Sequence, residues 1–158
     1  MSSQRSAILT CVACLMFACA VPRVLLGAPL DACSLLTPAE VNAALGVSTA
    51  PPKSTPGRIC RWGESGGQAG RRPAVVVTIQ DAPAFNFAKA PSTSTNLVKT
   101  PVSGVGDDAV FNTIAGVTAT LTVKKADTYF EVHVYGFPVD QTKTIEKTLA
   151  QEIAAKLK

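Results

Sequence analysis

From Val117 to Tyr135 apolar and polar residues alternate, break once at Lys124–Asp127, and resume, which is the pattern of a β-hairpin with one buried face. If Lys124–Asp127 form a four-residue loop, Val123 faces Thr128. Behind it Leu121 pairs with Phe130, Ala119 with Val132 and Val117 with Val134. All of these inner pairs are apolar. The alternate positions pair Thr122 with Tyr129, Thr120 with Glu131 and Thr118 with His133, so one face is core and the other polar. After the hairpin, Ile145, Leu149, Ile153 and Leu157 recur every four residues on a helix that starts near Asp140–Thr142 and covers the apolar face. Glu146, Lys147, Glu152 and Lys156 are expected on its solvent side.

The N-terminal half is punctuated as clearly. Thr37 is placed as an N-cap, Pro38 at the first helical position, Glu40 at the capping-box position and Gly46 as the stop. Three prolines between Val47 and Gly57 mark a loop, and Ile59–Trp62 reads as a short strand with Cys60 and Trp62 on one face. Gly63–Gly70, with four glycines, reads as a hairpin connection. Val75–Gln80 is β-branched and continuously apolar, as in a central strand. Asp81 is placed as the cap of a short helix through Phe85 and Phe87, and Ser92–Asn96 as a polar loop. These elements amount to an α+β sandwich: an antiparallel sheet of about five strands packed with N- and C-terminal helices.

Residues 1–28 change the picture of where this domain works. Arg5, an apolar run from Ala7 to Val21, and the endings Ala18-Cys19-Ala20 and Leu26-Gly27-Ala28 have the form of a secretory signal peptide. The expected organisation is a signal peptide at 1–28 and a single exported domain at 29–158, periplasmic or extracellular. Either cleavage site leaves Cys33 and Cys60 as the only cysteines, and they are expected to form a disulfide in that oxidising compartment. Met16-Phe17-Ala18-Cys19 has the small residue before cysteine of a lipoprotein signal, although Met16 and Phe17 fit that pattern badly. Membrane attachment through a lipid anchor is the one membrane association the sequence leaves open.

Charge narrows the partners. Pro29–Lys158 carries 13 basic and 11 acidic residues, a net of +2, which gives nucleic-acid binding no global electrostatic support. Arg58, Arg61, Arg71 and Arg72 are a local basic excess and candidate contacts to an anionic envelope polymer or lipid headgroup. The plain alternative is a solvated loop.

Gly104-Val105-Gly106-Asp107-Asp108-Ala109 matches the glycine spacing of a dinucleotide fingerprint, but Ala109-Val110-Phe111 reads as strand where that motif needs a helix. Asp107 and Asp108 are expected to shape a turn. The ligands for a metal are missing, and no cofactor is expected.

Asp31-Ala32-Cys33-Ser34-Leu35-Leu36-Thr37-Pro38-Ala39-Glu40-Val41, then Ala44-Leu45-Gly46, Cys60-Arg61-Trp62, Val105-Gly106-Asp107-Asp108-Ala109 and the apolar hairpin before a final helix resemble a family of small exported bacterial domains of unknown function. Many members of that family carry lipoprotein signals. The resemblance implies a compact envelope domain similar in architecture to PsbP-like folds, and its motifs are structural, so it transfers no catalytic or binding residue.

For function, the polar hairpin face is the candidate binding surface: Thr118, Thr120, Tyr129, Glu131, His133 and Tyr135, a threonine–tyrosine set suited to adaptable polar contacts. The expected role is a non-catalytic binding or accessory module for an envelope protein, polymer or small molecule. The alternative is a small periplasmic hydrolase using His133, the one histidine of the chain, as its base.

Overall fold

The computed structural model describes residues 30–55, 57–63 and 72–158. Residues 1–29, with the expected signal peptide, most of the glycine-rich connection and Arg71 lie outside the described residues. Among the described residues seven strands form one antiparallel sheet: β1 Lys53–Thr55, β2 Ile59–Gly63, β3 Ala74–Asp81, β4 Leu97–Pro101, β5 Asp108–Ile114, β6 Thr118–Lys125 and β7 Thr128–Tyr135. Their order is β1-β2-β3-β7-β6-β5-β4, with α1 Pro38–Leu45, α2 Phe85–Lys89 and α3 Val139–Lys156 packed on it. The α+β antiparallel architecture is as expected, but the sheet is wider than the expected five strands. Both additions, β1 and β4, are edges of three and five residues. β1 is wholly exposed and β4 ends in Pro101, so neither carries the apolar alternation of a central strand.

Side-chain alternation sorts the sheet into two faces. Cys60, Trp62, Val75, Val77, Phe111, Leu121, Val123, Phe130 and Val132 point to the face covered by α1 and α3, where they form the main core. The α1 capping box forms as expected: Glu40 N–H donates to Thr37 Oγ1 and Thr37 N–H to Glu40 Oε2, with Gly46 closing the helix at φ +69°. Lys156 near the end of α3 donates to Glu40 and to the Leu35 carbonyl, tying the two terminal helices together. That ammonium, with the Thr37 N–H, holds the Glu40 carboxyl below its usual range. Cys33 and Cys60 are disulfide-bonded, which fixes the turn before α1 to β2. Trp62 is fully buried in the same core.

Three local expectations are corrected. The β6–β7 connection is two residues long, Ala126-Asp127, and the register is Lys125↔Thr128, Val123↔Phe130 and Leu121↔Val132, two residues from that of the four-residue loop. A two-residue slip preserves which face each side chain takes. The tight turn places Ala126 at φ +50°, and its N–H donates to Asp107 Oδ2 while Lys125 donates to Asp107 Oδ1. The Asp107 carboxyl is held below its usual range by these two donors. The turn is therefore braced by a residue remote in sequence, within the glycine motif.

Glu146, expected in solvent, is fully buried against the sheet. Asp81 makes no side-chain cap to the turn before α2 and instead pairs with Arg58 at 2.9 Å.

Candidate functional site

The second face of the sheet is divided in two. Over one half lies α2, with Phe85 edge-on to Tyr129 at a 5.9 Å centroid separation. Val110, Thr122 and Tyr129 are buried on this half. Lys99 of β4 donates through Nζ to the Ala88 and Ala90 carbonyls at the C-terminal end of α2, which holds the short helix down.

The other half is an open groove of about 480 Å³ running from Val76 and Thr78 on β3 to Leu97 and Lys99 on β4. Its floor follows from register. Arg61, Val76 and His133 stand in one row across β2, β3 and β7, and Thr120, Asn112 and Lys99 stand in one row across β6, β5 and β4. Between His133 and Thr120 the β6–β7 ladder has ended, because its last pair is Leu121↔Val132. A second recess of about 210 Å³ occupies the opening, bounded by Thr118, His133, Tyr135 and Phe137.

Of the residues expected on the binding face, Thr120, Glu131, His133 and Tyr135 line the groove, and Thr118 lines the adjoining recess. Tyr129 does not reach the open surface, since the Phe85 ring of α2 covers it. Its hydroxyl donates to Glu131, and burial, reinforced by that carboxylate, pushes its pKa up. His133 and Tyr135 stack, with centroids 4.1 Å apart and planes 22° off parallel. Burial lowers the His133 pKa, so the imidazole is neutral at pH 7, and its buried Nε2 has no partner.

Alternation along β5 places Asn112 here too, although the sequence reading stopped at Phe111. Asn112 Nδ2 donates to Thr122 Oγ1 at 2.9 Å, while its buried Oδ1 has no partner. Lys99 was out of reach because β4 has no strand pattern of its own. Of the four candidate anion contacts, the three that lie among the described residues do not converge. Arg58 is paired with Asp81 at the C-terminal end of β3, and Arg72 lines a separate recess before its N-terminal end, about 30 Å away along the extended chain. Arg61 lies between them on the groove side, with Nε buried and unpaired.

Among the described residues no three His, Cys, Asp or Glu side chains come together as a metal site, and no helix is long and apolar enough to cross a membrane. Comparison with protein-family models, with curated proteins and with solved structures gives no match.

Proposed function

We propose that this protein is an exported envelope domain that binds a ligand in the second-face groove without transforming it. The observation that carries this is a preformed groove of about 480 Å³, within the ~300–1,000 Å³ typical of ligand sites, whose lining sets Asn112, Thr120, His133 and Tyr135 beside Val76, Leu97 and Ile114. A groove framed by β-strands on a bonded sheet is rigid, and rigidity suits recognition. Export is supported by the form of residues 1–28 and by the Cys33–Cys60 disulfide.

Hydrolysis by His133 is less well supported. Its neighbour in the groove is the Tyr135 ring, and its Nε2 touches no group that could serve as nucleophile or orienting carboxylate.

The test is a native mass spectrum of the protein purified gently from its own host, alongside a Thr120→Arg variant whose long side chain fills the groove. The expected wild-type species is a signal-cleaved chain, two hydrogens lighter for the disulfide, that retains an extra non-covalent mass absent from the variant. Bare chains in both cases, each at the mass of its own sequence, overturn the groove as a site occupied in the envelope.

A further inference from the structure

Resting on the groove as the binding site, we infer from the charges around it that its ligand is a short peptide with both ends free, its ammonium group on Glu131 and its carboxylate on Arg61.

Register brings the two residues to one stretch of the second face. Arg61 pairs with Val76 and Glu131 with Thr78, and Val76 and Thr78 are alternate residues of β3 that both line the groove. Glu131 stands on the groove floor, and Arg61 is one strand spacing, about 5 Å, beyond Val76 at the rim. Two strand spacings and one two-residue step put their Cα atoms roughly 12 Å apart.

Neither charge has a counter-ion among the described residues. Glu131 Oε1 accepts from the Tyr129 hydroxyl, a neutral donor, while Oε2 has no partner and is open to solvent. Arg61 Nε is closed off, but Nη1 and Nη2 are open and bond to none of the described residues, Glu131 included. A guanidinium does not shed its charge by losing a proton, so it keeps its demand for an acceptor. The other charges near this face are engaged or set apart. Lys99 is held by the Ala88 and Ala90 carbonyls, Lys89 pairs with Asp108, and Lys124 stands opposite Asp108 in the row of Tyr129. Lys53, beside Arg61 on β1, repeats its sign. One end of the site is thus basic and the other acidic.

A ligand with a single charge meets only half of this pattern. An anion at Arg61 leaves Glu131 uncompensated, and a cation at Glu131 leaves Arg61 so. A peptide carries one charge of each sign at its two ends, and an extended chain of two to four residues spans roughly 7–14 Å. Between the charges it crosses β3, where Val76 offers an apolar contact and the half-buried, open hydroxyl of Thr78 a partner for an amide group. No contact to the closed atoms of Asn112, His133 or Arg61 Nε is needed. A sheet face lacks the main-chain ladder that an edge offers a peptide, so recognition rests on charge-assisted bonds at the two ends and favours a short chain.

The experiment is an amide-resolved NMR titration of the isotopically labelled exported protein with dialanine, trialanine and tetraalanine, each also in N-acetylated and in C-amidated form. At least one free peptide is expected to give saturable shifts at Val76, Thr78 and Glu131, and blocking either of its ends to weaken binding tenfold or more. Glu131→Gln is expected to remove the effect of acetylation but not that of amidation, and Arg61→Gln the reverse. Should a variant not fold, the blocked peptides test the same two ends in the unaltered protein. An acetylation penalty unchanged in Glu131→Gln, or an amidation penalty unchanged in Arg61→Gln, overturns the residue assigned to that end. Blocked peptides that bind as tightly as the free one overturn the ligand class and leave the groove standing. So does the absence of peptide shifts when the native protein carries a mass that Thr120→Arg removes. Absence of both overturns ligand class and groove together.

Discussion

Glu146 Oε1 accepts the Val134 backbone N–H at 2.9 Å, so a carboxyl group from α3 stands where a main-chain carbonyl of β6 would complete the ladder. The Leu121 N–H faces the same carboxyl, and Oε2 is buried without a partner. Burial outweighs both amides and the Lys143 charge one helical turn away, and pushes the Glu146 pKa up to about 9. At neutral pH this is an uncharged acid wedged between two strands.

A pH dependence of stability follows. In the unfolded chain Glu146 ionises near 4.5, whereas in the fold it keeps its proton up to about 9. Between those values the unfolded state binds fewer protons, so stability falls as pH rises, by at most about 1.4 kcal/mol per unit. His133 acts oppositely: its pKa is lowered in the fold, so stability is lost as pH drops below about 6.5 and the unfolded imidazole takes up a proton. Urea midpoints at pH 5, 6.5 and 8 are expected to decline toward pH 8 in the wild type and to flatten over that interval in Glu146→Gln. Parallel profiles for the two proteins would show that Glu146 is ionised in the fold.

Gly106 is a packing constraint, and Gly104 is not. A Cβ at Gly106 would lie 2.5 Å from the Lys124 carbonyl oxygen and 2.6 Å from Val123 Cγ1, whereas one at Gly104 would meet open space. Both have positive φ, +59° and +77°, so an alanine at either position carries the left-handed backbone penalty of about 1 kcal/mol. Gly106→Ala is expected to lose at least about 2 kcal/mol more than Gly104→Ala, because backbone at 2.5 Å cannot yield without moving the β6–β7 turn. Equal losses in chemical denaturation would mean that the motif is shaped by its backbone alone.

Reduction should be costly. The Cys33–Cys60 bond closes a loop of 28 residues, for which chain entropy gives about 3.5 kcal/mol. Cys33→Ala with Cys60→Ala is expected to lower stability by this order, and wild type in excess dithiothreitol should converge on the variant. A reduced protein as stable as the oxidised one would remove the disulfide from the account of folding.

The faces of the hairpin were legible from alternation at Ala119, Leu121, Val123, Phe130, Val132 and Val134, all buried in the core, but not at Val117, expected opposite Val134 and in fact 74% exposed just before β6 begins. The α1 capping box and the Cys33–Cys60 pairing were equally local and equally legible. The exact register was not, because Asp107, eighteen residues before β6 ends at Lys125, is what stabilises a two-residue loop. Nor was Glu146: a helical wheel places it beside the apolar stripe as readily as in water, and only the interrupted ladder explains its burial. The candidate site divided for a similar reason. Sequence gives the polar row on β7, but α2 decides which part is covered, and it hides Tyr129 while leaving His133 and Tyr135 at the groove.

β3 and β7 pair along eight positions, from Ala74↔Tyr135 to Asp81↔Thr128, while β6 and β7 pair only from Leu121↔Val132 to Lys125↔Thr128. The sheet is thus two panels, β1-β2-β3-β7 and β6-β5-β4, joined by five β6–β7 pairs and, where those end, by the Glu146 carboxyl that receives the Val134 N–H. The seam under the groove is therefore closed in part by a side chain, and a helix on the opposite face helps to set the shape of the groove floor.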